Sequence, residues 1–334
     1  MRMHPEEYTV GWICAVGIER AVACGMLDKH YAKEREPWVD TSRDHNSYTF
    51  GCIHEHNVVI AALPQGRYGI TAAAVVARDM QTSFPNLQIR LMVGIAGGAP
   101  SKKNDIRLGD VVVSSPTSKY GGVIQYDFGK AIQGHEFEIS GHLAPPPEDL
   151  LNAVAHLRAQ HQARGHRIPG IIANMLDENP RLGTECSRPA PELDKLYTAD
   201  YSHSLHSRCD CQSPVDSLQE GTGYHQSSIS RKRRTNREDD PMVHYGLVAS
   251  ANSVMKDAIA RDALIARYDV LCFEMEAAGL MNIFPSVVIR GICDYSDSHK
   301  NDVWQGYAAA TAAAYAKELL GTLSVRQSRL SGEL

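Results

Sequence analysis

Cys272-Phe273-Glu274-Met275-Glu276-Ala277-Ala278-Gly279 is followed by the apolar run Ser286-Val287-Val288-Ile289-Arg290-Gly291-Ile292-Cys293, which ends at Asp294. This pattern predicts a strand, a helix of small residues that begins at Glu276, and a second strand that carries Asp294 at its carboxyl end. In open α/β sheets, ligand sites form at the carboxyl ends of strands. We therefore expect Glu276 and Asp294 to lie near each other at one edge of a sheet.

Two carboxyl groups in such a place suit the cleavage of a bond between a sugar and a base. A carboxyl group with apolar neighbours tends to have a raised pKa and can give a proton to a leaving group near neutral pH. A second, ionised carboxylate can hold two vicinal hydroxyls while positive charge develops on the sugar ring. The alternative is that Glu276 is a solvated helix carboxylate and Asp294 a helix N-cap.

Strands and helices alternate along most of the remaining chain. Periodicity predicts strands at 8–15, 48–54, 57–63, 91–95, 110–114 and 244–249, and helices at 19–27, 70–80, 150–162, 254–261 and 307–320. Such alternation favours a single α/β domain with a doubly wound, mixed central sheet flanked by helices. We expect this domain to span residues 8–322, with an irregular insertion at about 180–241 and a tail at 323–334.

Composition limits the class of protein. The chain has 334 residues, a net charge of -5 and 43% hydrophobic residues, so it can bury a large core but has no overall basic character. For lack of basic character we expect no nucleic-acid partner. We also expect no membrane association, because no apolar run has the length of a membrane span. Eight cysteines in a chain this long do not indicate a disulfide framework, so we expect a reducing, cytoplasmic location.

The polar insertion contains two short patterns with more than one interpretation. Cys209 and Cys211, with His203 and His206 upstream, form half of a possible zinc site or an ordinary loop, since no second cysteine pair follows at finger spacing. The basic run 231–234 is either a nuclear-localisation patch or a solvated loop.

Four ordered blocks resemble the nucleoside phosphorylase superfamily. They are Val93-Gly94-Ile95-Ala96-Gly97-Gly98-Ala99, Leu108-Gly109-Asp110-Val111-Val112-Val113-Ser114, the segment 273–279 and the segment 290–294. Within the superfamily, the blocks are similar to fungal nucleosidase-type domains that often adjoin nucleotide-binding or ankyrin modules. They are more distantly similar to bacterial methylthioadenosine/S-adenosylhomocysteine nucleosidases, and domains of the same kind resemble ATP nucleosidases. The similarity runs from about residue 8 to about residue 320.

The resemblance implies a role for each acidic residue and a choice of nucleophile. It implies that Asp294 protonates the purine, that Glu276 holds the ribose hydroxyls above Met275, and that Glu19 activates water. Phosphorylases of this superfamily hold phosphate with arginines, where this chain has Glu19 and Met92. We therefore predict hydrolysis of an adenine nucleoside or nucleotide, ATP included, with water as the nucleophile. The alternative for Glu19 is a first-turn glutamate stabilised by the helix dipole.

Further substrate-binding residues follow from the resemblance and from their positions. The loop 250–254 corresponds to the adenine-contacting loop of the bacterial nucleosidases, and Arg67 and Arg188 are the leading candidates to bind a 5′-phosphate. Trp304 is either a stacking face for the base or a packing residue. The predicted binding set is Glu276, Met275, Phe273, Gly69, Gly97, Ser250, Asn252, Val254, Arg67, Arg188 and Trp304.

Two alternative functions stay open at this point. One is a phosphate-dependent purine nucleoside phosphorylase, and the other is a nucleotide-sensing module without catalysis. For all three functions we expect no metal and no organic cofactor. By resemblance, we also expect a homo-oligomer, most simply a dimer.

Overall fold

The computed structural model describes residues 3–31, 42–203, 228–235 and 239–324. Its strands are β1 (Val10–Cys14), β2 (Lys29–His30), β3 (Tyr48–Ile53), β4 (His56–Ala62), β5 (Ile89–Gly98), β6 (Val111–Ser114), β7 (Val123–Gln125), β8 (Gly129–Lys130), β9 (Glu138–Ile139), β10 (Val243–Ser250), β11 (Val270–Glu274) and β12 (Val287–Asp294). Its α-helices are α1 (Gly17–Gly25), α2 (Ile70–Ser83), α3 (Glu148–Arg164), α4 (Ile168–Glu178), α5 (Gly183–Cys186), α6 (Ala258–Tyr268), α7 (Ala277–Leu280) and α8 (Gln305–Leu320).

A mixed central sheet organises these elements. Its order is β11-β10-β6-β12-β5-β1-β4-β3-β2, and β7 joins it beside β10. Strand β5 pairs in parallel with β1 and β12, and its last residues also pair antiparallel with β11. Because β11, the first strand in the order, also pairs with β5, the five strands β11, β10, β6, β12 and β5 form a closed circuit of paired strands. The mixed, single-domain α/β fold agrees with the prediction.

The buried core explains why β5, β12 and α8 lie at the centre. Most side chains of β5 and all of β12 are buried, as expected for strands covered on both faces. Helix α8 packs against β12 and β5 through a nearly continuous run of buried small residues. At Gly291 a Cβ would lie 1.8 Å from the carbonyl oxygen of Ala308, so only glycine allows this close approach of helix and strand.

Most predicted elements are present with small shifts at their ends, and the helix predicted at 254–261 is present but spans 258–268. The helix α6 begins at Ala258, because the carboxylate of Asp257 accepts hydrogen bonds from the backbone amides of Ile259 and Ala260 and so caps its first turn. The preceding residues 253–256 are therefore outside the helix, and three of them line the cavity described below.

The described parts of the polar insertion contain short helical turns and lie against the sheet. Arg231 donates hydrogen bonds to the carbonyl of Ile106 (3.1 Å) and to the hydroxyl of Tyr295 (2.5 Å), and Arg234 forms an ion pair with the fully buried Asp110 at the start of β6. Two of the four basic residues of the run 231–234 thus serve to attach the insertion to the core, which is neither of the two interpretations offered from the sequence.

No helix in the described ranges has both the length and the apolar character needed to cross a bilayer.

Candidate functional site

The site forms where β5, β11 and β12 meet. Gly97 of β5 is the pairing partner of both Phe273 on β11 and Asp294 on β12. A Cβ at Gly97 would lie 2.6 Å from Oδ1 of Asp294 and 2.2 Å from Oγ of Ser296, so glycine at this position leaves space for both side chains. A cavity of about 200 Å³ opens here, and Glu19, Phe273, Met275, Glu276 and Asp294 are among its lining residues.

Glu19 lies in the first turn of α1, where β1 ends. Its Oε2 accepts hydrogen bonds from the amides of Ala15 (2.6 Å) and Val16 (3.1 Å), and its Oε1 accepts one from the amide of Ile95 (2.8 Å). Burial raises the pKa of Glu19, although Arg290 and these amides act in the opposite direction. The residue is therefore both the helix-start carboxylate of the alternative interpretation and a lining group of the cavity.

A buried arginine joins the carboxylates beneath the cavity. Arg290 contacts Glu274 directly, and its Nη2 lies 3.5 Å from Oε2 of Glu276. Burial alone would lower the pKa of Arg290, but Glu274, Glu276 and Glu19 outweigh it and raise that pKa. Burial and the neighbouring charge of Glu274 raise the pKa of Glu276 to about 7. The guanidinium of Arg290 thus compensates part of the negative charge of three buried carboxyl groups, those of Glu19, Glu274 and Glu276.

Backbone amides fix the orientation of these acidic side chains. Glu274 accepts hydrogen bonds from the amides of Glu276 (3.1 Å) and Ala277 (3.0 Å), which ties the end of β11 to the start of α7. The amide of Gly69 donates to Oε1 of Glu276 (3.4 Å). Gly69 has φ +95°, a region that side chains disfavour, so the chain can turn there to present its amide.

Asp294 lies opposite, at the end of β12, and is 3% exposed. Its Oδ1 accepts a hydrogen bond from the amide of Ser296 (2.8 Å), and its Oδ2 lies 2.5 Å from Nζ of Lys300 and 3.2 Å from Sγ of Cys293. Ser296 has φ +55°, and its buried hydroxyl has no hydrogen-bond partner among the described atoms. Both Ser296 and Lys300 line the cavity.

The other wall of the cavity is largely apolar. Phe273 is buried and makes an edge-to-face contact with Tyr126, with ring centroids 5.7 Å apart. Val254 and Tyr68 line the cavity near solvent and are 49% and 53% exposed. An apolar wall opposite acidic groups suits a flat heterocycle attached to a polyhydroxylated ring.

Several predicted binding residues lie behind or beside this lining. Asn252 accepts a hydrogen bond from the amide of Ile70 (3.1 Å), and the buried Ser250 hydroxyl accepts one from the amide of Ala278 (3.1 Å). Both side chains support the wall and do not line it. Trp304 is 2% exposed and packs against Tyr307, which agrees with the packing interpretation.

The two arginines predicted to bind phosphate differ in position. Arg188 binds both oxygens of Asp240 at 2.8 Å and lies over the ring of Tyr307, outside the cavity lining, so its position does not support that role. Arg67 is exposed and precedes Tyr68 at the cavity mouth.

None of the described lining residues is an arginine. Met92 is fully buried, and Arg90 lies over Phe284 with its Nε bonded to the carbonyl of Leu87.

The sequence interpretation assigned no role to Glu274, Arg290, Ser296 or Lys300. A signal existed for Arg290, because a charged residue within an apolar strand needs a buried partner of opposite charge. Its pairing with Glu274 depends on the strand order, so the partner could not be identified from local spacing. The position of Lys300 depends on the path of the loop after β12, for which periodicity carries no information.

Within the described ranges, no group of three or more His, Cys, Asp and Glu side chains is arranged to hold a metal ion. Of the possible zinc ligands, Cys209, Cys211 and His206 lie outside the described residues, as do residues 325–334 of the predicted tail.

One curated sequence relative covers nearly the whole chain. It is a nucleotide-binding leucine-rich repeat (NLR)-like protein of Hyaloscypha variabilis, 46% identical over 322 residues. The alignment covers 96% of this chain but 30% of that protein, so the chain corresponds to less than a third of its relative. The relative's name describes no nucleosidase, and the fungal nucleosidase-type assignment stays a prediction. No protein-family model matches the chain.

Solved structures establish the fold. Futalosine hydrolase of Helicobacter pylori superposes with a TM-score of 0.57 at 14% identity, covering 95% of this chain and 99% of that one. The 5′-methylthioadenosine/S-adenosylhomocysteine nucleosidases of H. pylori and Neisseria meningitidis give TM-scores of 0.58 and 0.56 at 15% and 16% identity, covering 95% and 94% of this chain and 99% of each of theirs. The chain therefore has a nucleosidase-type fold.

Proposed function

We propose that this protein hydrolyses the N-glycosidic bond of an adenine nucleoside, releasing adenine and the free sugar. The observation that carries the proposal is that Glu19, Glu276 and Asp294 line one cavity together with the apolar Phe273 and Met275. This arrangement provides a group for the water, a group for the sugar and a group for the base. The names of two structural neighbours include adenine nucleosides, which supports the choice of base.

Each carboxyl group has a distinct role in the proposed reaction. Ionised Glu276 binds the ribose hydroxyls and stabilises positive charge on the ring as the bond to the base lengthens. Asp294 delivers a proton to the departing base, which avoids release of an anion. Glu19 takes a proton from the water that attacks the sugar carbon. Its Oε1 accepts one amide and so retains a lone pair for that water.

The charge of the cavity favours water over phosphate as the nucleophile. Its described lining includes four carboxyl residues, Glu19, Glu274, Glu276 and Asp294, against one lysine. Arg290 is already occupied by the buried glutamates and does not belong to the lining. An inorganic phosphate placed near Glu19 would meet like charge without a guanidinium to compensate it.

The decisive experiment is free-base release, followed by chromatography, from adenosine, inosine, guanosine, methylthioadenosine, AMP and ATP, each with and without inorganic phosphate. We expect adenine from adenosine or methylthioadenosine without phosphate, and free sugar as the second product. Release that depends on phosphate would replace the proposal with a phosphorylase. Binding of these ligands without release would favour a nucleotide-sensing module.

The variant Asp294→Asn tests the role of the acid. The amide cannot supply a proton, so we expect base release to fall by about 100-fold or more. Adenosine should still bind, because the asparagine has nearly the same shape and the rest of the cavity is unchanged. Calorimetric titration with adenosine checks binding. Full activity in this variant would contradict the proposed mechanism.

ATP is a second candidate substrate, and Arg67 is the observation in its favour. Arg67 is exposed and directly precedes in sequence the half-exposed lining residue Tyr68 at the cavity mouth, where a phosphate chain would leave the cavity. If ATP is a substrate, Arg67→Gln should raise its KM several-fold and leave the KM of adenosine unchanged. Arg164→Gln, at an exposed position at the end of α3, is the matched control. Equal effects of both variants would remove the support for ATP.

A further inference from the structure

Lys300 contributes the one ammonium group among the described residues that line the cavity. Its Nζ lies 2.5 Å from Oδ2 of Asp294, the oxygen that is not bonded to the Ser296 amide. The Lys300 side chain is 24% exposed, whereas Asp294 is 3% exposed. The lysine therefore connects a buried carboxyl group with solvent.

This contact determines which of the two groups holds the proton before reaction. Burial lowers the pKa of Lys300, but the charge of Asp294 outweighs burial and raises it. An ammonium ion in hydrogen-bond contact also favours the ionised form of a carboxyl group. In the free protein this 2.5 Å contact is thus an ion pair, with the proton on Lys300. A carboxylate by itself has no proton to give to a leaving base.

We propose that Lys300 supplies, through Asp294, the proton that the leaving base takes up. The inference rests on the proposed hydrolysis. As the glycosidic bond breaks, its electron pair moves to the base, Nζ of Lys300 gives a proton to Oδ2 of Asp294, and Oδ2 passes a proton on to a base nitrogen. Lys300 then becomes a neutral amine and Asp294 remains a carboxylate. Solvent reprotonates the amine, while Glu19 holds and then releases the proton taken from the attacking water.

The other ionisable groups around the pair do not replace Lys300. Cys293 lies 3.2 Å from the same oxygen, but burial raises the pKa of its thiol well above the ordinary value, so it exchanges no proton near neutral pH. Asp302 lies in the same loop and favours the charged form of Lys300. Glu19, in α1, is a further charge that raises the pKa of Cys293. Asp297, His299 and Lys195 line a smaller cavity on the far side of Asp294.

Two substitutions separate proton supply from simple positioning. Lys300→Met removes both the proton and the charge, so Asp294 must take its proton from solvent. Lys300→Arg keeps a cation beside Asp294, but a guanidinium does not release its proton in this pH range. The readout is the rate constant of adenine release at saturating adenosine for each variant, divided by the wild-type value, from about pH 9 to about pH 6.

For Lys300→Met we expect a loss of about 100-fold or more at the high end of this range. The loss should shrink to about tenfold or less at the low end, since the protonated fraction of an unpaired carboxyl group rises tenfold with each unit of falling pH. For Lys300→Arg we expect a large loss that does not recover as the pH falls, because the guanidinium keeps Asp294 ionised.

The matched control is Lys317→Met. Lys317 forms an ion pair of similar length with Asp28 (2.6 Å) and is 21% exposed, but it lies outside the cavity. Thermal unfolding of all variants identifies general damage, and this control should keep the wild-type pH profile.

A wild-type rate in Lys300→Arg would overturn the inference, because positioning by a cation would then suffice. A loss in Lys300→Met that is equal at every pH would overturn it as well. In both cases the proposed hydrolysis would stand, since the wild-type protein would still release adenine. A wild-type protein that releases no base from any of the six substrates would refute the proposed hydrolysis, and the inference with it.

Discussion

At the scale of single residues, Gly94 has a role that its type alone does not reveal. A Cβ at this position would lie 2.3 Å from Oε1 of Glu19 and 2.7 Å from Nη1 of Arg290. Three backbone amides hold the Glu19 carboxylate in place, so the carboxylate cannot move aside without losing hydrogen bonds. The missing side chain of Gly94 is what allows an acid and a buried arginine to meet above β5.

We predict that Gly94→Ala leaves the protein folded but lowers the rate of adenine release by about 100-fold. The added methyl group displaces Glu19 by a fraction of an ångström to an ångström, and misplacement of that size can cost two orders of magnitude. The comparison variant is Gly170→Ala, in helix α4, where a Cβ would meet nothing within 4 Å. It should be fully active and about 0.5–1 kcal/mol more stable. Wild-type activity in Gly94→Ala would mean that the position of Glu19 is unimportant.

At the scale of elements, the end of β11 controls the ionisation of the sugar-binding acid. Glu274 ends the strand and Glu276 precedes α7, and the charge of Glu274 is, after burial, the main reason for the raised pKa of Glu276. Arg290, from β12, opposes this effect. The three residues come from one strand end, one helix start and a neighbouring strand, so the pKa of Glu276 depends on how these elements pack.

We predict that Glu274→Gln shifts the acidic limb of the rate profile to lower pH. Glu276 must be ionised to hold the ribose hydroxyls, so wild-type activity should fall as the pH drops below about 7. Removal of the Glu274 charge lowers the pKa of Glu276, and activity should then persist to more acidic pH. The measurement is kcat/KM for adenosine as a function of pH. An unchanged acidic limb would show that a different group controls it.

The insertion is also an element that supports the site. Tyr197 stacks on His299 with ring centroids 3.9 Å apart, and Arg231 bonds the hydroxyl of Tyr295 (2.5 Å). These contacts hold the loop after β12 at Tyr295 and at His299, the direct neighbours of Ser296 and Lys300. A polar segment without regular periodicity thus helps to position two lining residues.

At the scale of the whole molecule, the groups that govern stability at acidic pH differ from those that govern activity. Burial alone would raise the pKa of Asp110, but Arg234 and His244 outweigh it and lower that pKa. Burial likewise opposes the lowered pKa of Glu318, for which His161 is the main cause. The stability that these two acids contribute is complete above the ordinary range of unfolded carboxyl groups, about pH 4, and is lost as the pH falls through their lowered values.

We therefore predict that activity and stability separate between about pH 7 and about pH 5. Activity should fall by roughly tenfold per unit as Glu276 takes up a proton. The melting temperature should change little: Asp110 and Glu318 stay ionised, and the raised pKa values of Glu19 and Glu276, which favour the folded state as the pH falls, offset the loss from His56, whose pKa burial lowers. Parallel rate and melting measurements across this range test it. A melting temperature that falls together with the rate would mean that inactivation is unfolding.

Much of the fold could be predicted because it depends on local patterns. Alternating strand and helix periodicity indicated an α/β domain, and apolar runs located β1, β3, β4, β10 and α8 to within a few residues. Strands β8 and β9 of two residues each, and the late start of α6, escaped prediction because they depend on pairing and on the side-chain cap of Asp257. Such features carry little hydrophobic periodicity.

The sequence by itself determined the composition of the site. It places acids at the end of β12 (Asp294), after β11 (Glu276) and in the first turn of α1 (Glu19), and it has Glu19 and Met92 where phosphorylases have arginines. Only the tertiary structure decided which of these groups share a cavity and what charge each carries. Gly97 must pair with two strands to bring Phe273 and Asp294 together, and burial together with the charge of Glu274, which Arg290 opposes, sets the pKa of Glu276. The physical reason is that residue type and periodicity are local properties, whereas burial and the distances between charges arise from contacts between segments far apart in the chain.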